Sequence, residues 1–241
     1  MGGQTQRNYT LLYDSEMYAS YWVAYPLCSD HITTGRTESW AYDPDVPEGK
    51  QAKQKHSYGV SLSTTNYADN SYARGHQIPN ADRNNVAAMQ AQTYYYTNLT
   101  PQIQNGFNGG IWSNLEGAVR GLCASCDTVY VVTGAAFRKK GGSESIGTMT
   151  DVNNDKDTFP LPNYYWKALL KVTWSGDTVT AASAIGFWLP HADLKGEDYA
   201  DYAVSVNQIE TWTGFDLFAN LPEALQTTAE ANTSWSTFSS F

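Results

Sequence analysis

The chain has 241 residues, enough to bury one substantial core, and no linker-like stretch divides it, so we expect a single domain over residues 1–241. Only 16% of the residues are Asp, Glu, Lys or Arg, while Tyr, Thr, Ser, Asn and Trp are abundant, a balance that suits an exported protein. The formal charge of −9 repels a polyanion at long range, so composition alone argues against a nucleic-acid partner unless a bound divalent cation and a few arginines reverse the local field.

No apolar run approaches the roughly 18 residues needed to span a bilayer, so we predict no membrane span. The start, Met1-Gly2-Gly3-Gln4, lacks the apolar core of a signal peptide. We expect an exported protein, whether secreted, periplasmic or attached to a surface, whose leader is absent from this chain, although a cytoplasmic protein would begin in the same way. Residues 1–8 and the Ser- and Thr-rich residues 227–241 are expected to be loosely ordered ends.

The first half of the chain is predicted to contain an early strand and two helices. Residues 21–25 have the aromatic and β-branched character of a strand, which Pro26 is expected to end. Residues 84–92 are predicted to form a short helix, and residues 94–97 follow with strand propensity. A second helix is predicted from Asn108, because apolar side chains then recur on one face at steps of four and three: Trp112, Leu115, Val119 and Leu122.

The second half is predicted to be mainly β structure. Strands are expected at three places: residues 128–133, 164–174 and 178–188. Ser175-Gly176-Asp177 is expected to form the hairpin turn between the last two strands. Ser205 and Gln208 have the spacing of a capping box, which predicts a short helix that Gly214 closes.

Residues 151–157 imitate the start of a calcium-binding loop. However, Lys156 stands where the turn glycine should be, and Pro162 stands where the closing glutamate should be. The segment is therefore predicted to be an acidic surface loop.

The three cysteines, Cys28, Cys123 and Cys126, leave one thiol unpaired if a single bridge forms, and the pairing stays open. Cys123 and Cys126 have the spacing of a redox motif, but the run that follows them is typical of a buried strand and no strand-helix unit leads into the pair. A structural role is therefore expected. A zinc site is not expected, because no second pair of ligands has suitable spacing.

Residues 74–83 form a polar cluster that is hard to bury inside a folded domain without purpose. Within it, the neutral imidazole of His76 can take a proton from water near pH 7. Gly75 permits the backbone turn or close approach that a base beside a bound backbone would need. The plainer alternative, a satisfied core or surface histidine, is the interpretation for the other three histidines.

Further along, an asparagine and two charged residues are candidates for a metal site. The carbonyl oxygen of Asn108 suits a hard ion such as Mg²⁺, which keeps several of its waters. Glu116, about two helical turns on, could hold those waters from the flank, where Arg120 also lies. The alternative is that Asn108 caps a helix and that Glu116 and Arg120 form a surface pair worth about a few tenths of a kcal/mol.

Three ordered segments, Arg74-Gly75-His76, residues 97–102 and residues 108–116, resemble motifs of the DNA/RNA non-specific endonucleases of the ββα-metal (His-Me finger) superfamily. The resemblance extends from about Arg36 to the region of Leu221-Pro222. It implies an α+β fold, in which a mostly antiparallel central sheet is flanked by helices and a hairpin and a helix form the metal finger. It also implies Mg²⁺-dependent cleavage of DNA and RNA with little sequence preference.

The resemblance implies roles for individual residues. His76 is the general base, and Asn108 is the one direct protein ligand to Mg²⁺, with Mn²⁺ an open alternative because both ions accept oxygen ligands. Glu116 orients metal-bound water, and Asn98 helps to position His76 or the local loop.

Four arginines are expected to act on the substrate. By the same resemblance, Arg36 stabilises charge in the transition state and Arg120 is a second arginine on the phosphate side. Arg74 and Arg83 are expected to bind the nucleic acid. The oligomeric state stays open at this point.

One position departs from the family pattern. Family members usually carry an aspartate immediately before Arg-Gly-His, and this chain has Ala73 there. Asp69 or Asp82 could substitute, and loss of an outer partner of a metal site typically costs about 10- to 100-fold, so we expect a working but slower nuclease. Two rivals remain: a nucleic-acid-binding relative that has lost activity, and an aromatic-rich glycan-binding module.

Overall fold

The computed structural model describes residues 7–53, 72–150 and 158–241. Residues 1–6, Asp69 and the predicted acidic loop at residues 151–157 therefore lie outside the described residues. None of the helices in the described ranges has both the length and the apolar character needed to cross a bilayer.

The described strands and helices are numbered in chain order. The strands are β1 (Thr10–Asp14), β2 (Ala19–Leu27), β3 (Tyr72–His76), β4 (Leu99–Ile103), β5 (Val129–Ala136), β6 (Thr148–Thr150), β7 (Thr158–Pro160), β8 (Tyr164–Ser175), β9 (Thr178–Pro190) and β10 (Ala203–Val204). The α-helices are α1 (Ala87–Gln92), α2 (Ser113–Gly121), α3 (Val206–Thr213), α4 (Glu223–Ala229) and α5 (Trp235–Ser240).

A six-stranded sheet in the order β1-β2-β5-β8-β9-β10 forms the centre of the described structure. Each neighbouring pair of its strands runs antiparallel. Two smaller antiparallel pairs, β3-β4 and β6-β7, lie outside it. The predicted class, α+β with a mostly antiparallel central sheet and flanking helices, is confirmed.

Two local predictions in the second half are also confirmed. Ser175 pairs with Thr178, and the turn between β8 and β9 places Gly176 at φ +58°, a conformation that glycine adopts without steric cost. At the start of α3, Ser205 Oγ accepts a hydrogen bond from the Gln208 N–H at 3.1 Å. Gly214 follows the helix at φ +80°, so the serine cap and the closing glycine lie where they were predicted.

The central sheet is buried on both faces, because successive side chains of a strand point to opposite sides. On one face, Leu169 of β8 belongs to the same apolar cluster as the α2 stripe. On the other face, Trp166 and Leu170 of β8 pack in the cluster that contains α3. The predicted stripe on α2 is buried as expected: Trp112, Leu115, Val119 and Leu122. The polar side of α2 is consequently turned away from the sheet.

Three predicted boundaries are wrong. The first helix begins at Ala87, and the expected strand at residues 94–97 is instead a short 3₁₀ turn, Tyr96–Asn98, that leads into β4. Pro26 does not end β2, which continues to Leu27. Pairing of β2 with β1 stops at Ala24, so the missing N–H of Pro26 removes no ladder hydrogen bond on that side.

The prediction of a loosely ordered C-terminus is also wrong. Helices α4 and α5 occupy much of residues 223–240. Phe238 is fully buried, and the Trp235 ring packs on Phe187 of β9 with ring centroids 5.6 Å apart. At the N-terminus, where residues 1–8 were also expected to be loosely ordered, Asn8 is buried. The Ser- and Thr-rich composition of the tail suggested disorder, but two aromatic side chains, Trp235 and Phe238, pack it against the rest of the protein.

The β3-β4 hairpin is joined to α2 by a wide turn, Gln104–Trp112, whose backbone departs from helical geometry at Asn105, Gly106 and Gly110. Gly106 has φ +75°, and a Cβ built there would lie 1.7 Å from Asp193 Oδ1. Only glycine fits this position without rearrangement. Hairpin, wide turn and α2 together make a ββα unit whose apolar side chains belong to the main core.

Candidate active site

An open cavity of about 500 Å³ lies where the β3-β4 hairpin, the wide turn and α2 meet. It is lined by six of the residues that the sequence predicts for the site: Arg36, Arg74, His76, Asn108, Glu116 and Arg120. Asn98 and Arg83 do not line it. The structure therefore brings the predicted base, the predicted metal ligand and four charged residues around one space.

His76 ends β3, and its ring packs against Trp40 and Tyr94 with centroid distances of 5.6 and 5.4 Å. One ring nitrogen donates a hydrogen bond to the Arg74 backbone. The other, Nε2, is buried and has no hydrogen-bond partner among the described residues. Burial, and then the charges of Arg36 and Arg74, lower the pKa of His76 to about 3. The ring is thus neutral, with a lone pair on Nε2.

Asn98 is fully buried behind the hairpin. Its Oδ1 accepts a hydrogen bond from the Ile78 N–H at 3.0 Å, and its Nδ2 donates to the carbonyl oxygens of Ile78 and Thr93 at 3.0 and 2.8 Å. The Asn98 carbonyl also accepts from the Gln77 N–H at 2.9 Å. These bonds hold the chain directly after His76, which is the kind of contact that a loop-positioning role requires.

Asn108 lies inside the wide turn and not on α2, which begins at Ser113. The prediction that the helix begins at Asn108 is wrong, and so is the alternative that Asn108 caps it, because Gly110 breaks the helical path between them. Asn108 Nδ2 donates to Gln104 Oε1 at 3.1 Å. That bond orients the amide of Asn108. Its Oδ1, the atom suited to a hard cation, therefore lies on the side of the amide away from Gln104.

Glu116 borders the cavity from α2, and a buried lysine on β8 provides positive charge near it. Lys167 is 1% exposed, and its Nζ donates to Thr133 Oγ1 at 3.1 Å and lies 4.5 Å from the centre of the Trp112 ring. Burial raises the pKa of the Glu116 carboxyl, and the positive charge of Lys167 opposes that shift. The sequence motifs did not identify Lys167 as part of the site. It lies on β8, and only the folding of the chain brings it close to Glu116 of α2.

Arg120 is held by a carboxylate from the hairpin side. Its Nη1 donates to Asp82 Oδ1 at 2.9 Å, and the Tyr25 hydroxyl donates to Asp82 Oδ2 at 2.8 Å. The Asp82 side chain is 2% exposed and that of Arg120 is 22% exposed. Both carboxylate oxygens of Asp82 are therefore occupied, and the pair is not the exposed Glu116–Arg120 pair of the alternative interpretation.

Two further arginines border the cavity in different environments. The Arg74 guanidinium carbon lies 3.5 Å from the centre of the Trp40 ring, a close cation–π contact. Arg36 is exposed and lies 4.0 Å from Glu38, with its guanidinium carbon 5.7 Å from the Tyr94 ring centre. Trp40 thus packs against both Arg74 and His76, a contact that no motif predicted.

The predicted substrate-binding role of Arg83 is wrong. Arg83 is 0% exposed and does not line the cavity. Its guanidinium donates to Asn8 Oδ1 at 2.7 Å and to the carbonyl oxygens of Pro26 and Asp82 at 2.7 and 2.8 Å. A buried guanidinium whose donors are taken by the protein ties β2 to the polar cluster and is unavailable to a phosphate.

Ala73, the departure from the family pattern, lines the cavity. It pairs across the hairpin with Gln102, which is fully buried. Neither side-chain polar atom of Gln102 has a hydrogen-bond partner in the described structure. A Cβ on Gly75 would lie 2.3 Å from Gln102 Cδ, so the glutamine side chain occupies the space that this glycine leaves. Asp82 does not replace the missing carboxylate, because Arg120 and Tyr25 already bind it.

The donor set around the cavity fits a hard divalent cation better than zinc. The described residues contain no group of three or more His, Cys, Asp or Glu side chains arranged to hold a metal. The expected site is of another type, with one amide oxygen from Asn108 and a carboxylate from Glu116 nearby. A carboxyl group whose pKa burial raises is also one whose ionised form a cation would stabilise.

The chain is similar to several known proteins in sequence and in fold. The family model described as DNA/RNA non-specific endonuclease matches residues 2–224. A nuclease of Nostoc sp. is 26% identical over 231 residues, covering 94% of this chain and 76% of its own length. A nuclease of Serratia marcescens is 28% identical over 224 residues, covering 90% and 75%. A chain of the EndoG/EndoGI crystal structure has a TM-score of 0.71 and 19% identity, covering 92% of this chain and 87% of that one, a likeness of fold alone.

Proposed function

The chain belongs to the DNA/RNA non-specific endonuclease family, and from that premise we propose that it cuts both DNA and RNA with Mg²⁺, using His76 as the base that activates water. As a family member it is a nuclease, a hydrolase of phosphodiester bonds. The observation that carries the proposal is the convergence of His76, Asn108 and Glu116 on one cavity.

The environment of His76 suits a general base. The hydrogen bond to the Arg74 backbone assigns the proton to Nδ1 and leaves Nε2 as the acceptor. In the proposed mechanism, the attacking water gives its proton to Nε2. The low pKa of His76 owes part of its shift to Arg36 and Arg74, and a bound phosphate would offset those charges. Substrate binding is thus expected to raise the basicity of the ring when it is needed.

The family is metal-dependent, and we propose that Asn108 would be the one direct protein ligand to the cation, Mg²⁺ in preference with Mn²⁺ also accepted. Bound there, a hard dication supplies charge neutralisation at the phosphate. Asn108 contributes a neutral oxygen, so it leaves the charge of the ion undiminished. Glu116, on α2, would hold water molecules that stay bound to the cation. The positive charge of Lys167 would balance the negative charge of Glu116.

We propose that Arg36 and Arg120, which both line the cavity, contact the phosphate, Arg36 from an exposed segment and Arg120 from α2. Arg74, stacked on Trp40, would contact the nucleic acid backbone. These side chains recognise charge rather than base edges, which supports cleavage with little sequence preference. We further propose a single catalytic domain and an exported protein, in line with the charge-poor, aromatic-rich composition.

The test is cleavage of supercoiled plasmid and of a structured RNA, with Mg²⁺ and with EDTA. His76→Ala is expected to lower the rate by about 10²- to 10⁴-fold on both substrates, and added imidazole is expected to restore part of it, because the lost group is a base. Asn108→Ala is expected to raise the Mg²⁺ concentration needed for half-maximal cleavage. His31→Gln, at a histidine that does not line the cavity, serves as the control. Cleavage that persists in EDTA or in His76→Ala would refute the mechanism.

A further inference from the structure

The three cysteines of the chain line a second, open cavity of about 680 Å³, formed where β2 ends and where α2 gives way to β5. All three are unpaired and half-buried. Cys28 lies on one side, with its Sγ 3.5 Å from His31 Nδ1. Cys123 and Cys126 lie together in the turn after α2. The nuclease mechanism uses none of these thiols.

The turn that carries Cys123 and Cys126 has the geometry of a short 3₁₀ helix, Leu122–Ala124. The Ser125 N–H donates to the Leu122 carbonyl at 3.0 Å, and the Cys126 thiol donates to the same oxygen at 3.3 Å. Cys126 lies two residues beyond this helix, and its bond to the Leu122 carbonyl folds it back towards the turn that carries Cys123. A disulfide needs Cα atoms about 4.4–6.8 Å apart, a spacing that residues three apart reach in a tight turn.

The charge interactions of Cys123 indicate which thiol is its partner. Burial raises the pKa of Cys123 most, followed by the neighbouring thiol of Cys126, while Cys28 contributes least among the groups that raise it. Cys126 therefore interacts with Cys123 more strongly than Cys28 does. Neither Cys123 nor Cys126 has the stabilised thiolate that makes a dithiol strongly oxidising, since burial raises both pKa values.

We propose that Cys123 and Cys126 are an oxidation site that forms one disulfide with a small-molecule disulfide as oxidant, and that Cys28 stays a free thiol. The thiolate of one cysteine attacks the small disulfide, giving a mixed disulfide and releasing one small thiol. The second protein thiolate then attacks the protein-bound sulfur, which closes the Cys123–Cys126 bond and releases the second small thiol. Two electrons pass from the protein thiols to the oxidant, and their two protons end on the released thiols.

The position of this bond connects it to the active-site helix. Cys123 follows Arg120 by three residues, directly after the last turn of α2. A covalent link across that turn restricts fraying of the helix end that carries Arg120. Oxidation is therefore expected to stabilise the fold, and the effect does not depend on whether the chain cleaves nucleic acid.

The experiment equilibrates the full chain with mixtures of reduced and oxidised glutathione, then unfolds it and alkylates all thiols with a maleimide before measuring intact mass. Three adducts are expected in the reduced protein and one after oxidation. Trypsin adds a pairing test, because Cys123 and Cys126 share the peptide at residues 121–138, while Cys28 lies in the peptide at residues 8–36. The proposal predicts one internally bridged peptide and no cross-linked pair.

Two variants sharpen the outcome. Cys28→Ser is expected to oxidise like the wild type and to retain a rise in Tm of about 2–5 °C on oxidation. Cys126→Ser is expected to show no such rise. Three alkylated thiols at the most oxidising mixture, or a peptide pair that contains Cys28, would overturn the proposal. Either result leaves the nuclease proposal intact, since that is measured by cleavage.

Discussion

At the scale of single residues, several groups that line the cavity are held by neighbouring side chains, of which Asp82 and Lys167 do not line it themselves. Asp82 binds Arg120 and Tyr25, Lys167 balances Glu116, and Trp40 carries Arg74. Each contact fixes a group that lines the cavity, or sets its charge. The candidate site is therefore expected to be sensitive to substitutions of residues that make no contact with the substrate.

Asp82→Asn tests this dependence. The substitution keeps the shape but replaces one carboxylate oxygen by an N–H donor, which must face either the Arg120 guanidinium or the Tyr25 hydroxyl. We expect kcat to fall by about 10- to 100-fold with a smaller change in KM, and the free energy of unfolding to fall by about 2–4 kcal/mol. Plasmid cleavage kinetics and urea unfolding measure the two effects.

The matched control is Tyr25→Phe, which removes one hydrogen bond to Asp82 but leaves the Arg120 pair in place. It is expected to cost about 1 kcal/mol of stability with a much smaller loss of activity. If the two variants lose the same fraction of kcat, Asp82 acts only through stability, and the assigned positioning of Arg120 is wrong.

Ala73→Asp tests the departure from the family pattern. The new carboxylate would lie beside Gln102, whose buried amide could donate to it, and its charge would oppose the field of Arg74 and Arg36 that lowers the pKa of His76. We expect the cleavage rate at limiting Mg²⁺ to rise by about 10-fold. Ala73→Asn supplies the shape without the charge and should gain little. A slower Ala73→Asp variant would mean that the cavity has adapted to the alanine.

At the scale of elements, the wide turn before α2 decides where the amide of Asn108 lies. Its path depends on Gly106, whose φ of +75° and contact with Asp193 leave no room for a side chain. The turn is a connection between the hairpin and the helix, yet it carries the predicted metal ligand.

Gly106→Ala is therefore expected to displace Asn108 as well as to destabilise the protein. The added Cβ would collide with Asp193 Oδ1, so the turn must move, and we expect a loss of about 1–3 kcal/mol together with a several-fold weaker response of cleavage to Mg²⁺. Gly117→Ala, in the middle of α2 where a Cβ meets nothing within 4 Å, is the control and should be neutral or stabilising by up to about 1 kcal/mol. Equal Mg²⁺ dependence in both variants would contradict this role of the turn.

The sequence predicted those elements whose signal is local. The β8-β9 hairpin has its glycine turn, α3 has its capping box, and the apolar stripe of α2 has the period of a helix. The start of α2 could not be predicted in the same way, because the stripe continues backwards to Asn108, whereas the backbone leaves the helical path at Gly106 and Gly110. The need for glycine at position 106 comes from the close approach of Asp193, which is distant in the sequence.

The site shows the same division. His76, Asn108 and Glu116 were predicted because their side-chain chemistry and order in the chain are visible in the sequence. Arg83 was misassigned, since nothing local distinguishes an arginine that faces phosphate from one that binds the carbonyl of Pro26. Lys167 was missed for a related reason, because its proximity to Glu116 exists only after two distant elements have packed.

At the scale of the whole molecule, one histidine joins the ββα unit to the central sheet. His191 Nε2 accepts a hydrogen bond from the Ile103 N–H at the end of β4, and Nδ1 donates to the Pro162 carbonyl, both at 2.8 Å. This neutral form satisfies two backbone groups from different parts of the fold. Burial lowers the pKa of His191 to about 4, and protonation would set Nε2–H against the Ile103 N–H.

This arrangement predicts loss of stability in acid. Above pH 6.5 the ring is neutral in both the folded and the unfolded chain, so it adds no pH dependence. Between pH 6.5 and 4 the unfolded chain binds a proton that the folded chain excludes, so the free energy of unfolding falls, by about 3 kcal/mol for this group at the acid end. His76, with a pKa of about 3, acts in the same direction over this window.

Urea unfolding of the wild type and of His191→Gln from pH 7.5 to 4 measures the effect. The glutamine does not titrate, so the variant is expected to be less stable at pH 7.5 but to lose less stability on acidification, with the remaining slope owed to His76 and the carboxylates. Because His191 binds the backbone directly before the wide turn, its protonation is also expected to loosen the ββα unit before the sheet unfolds. Hydrogen exchange at pH 5 should then show faster exchange in β4 than in β8, and equal protection of the two strands would argue against this order.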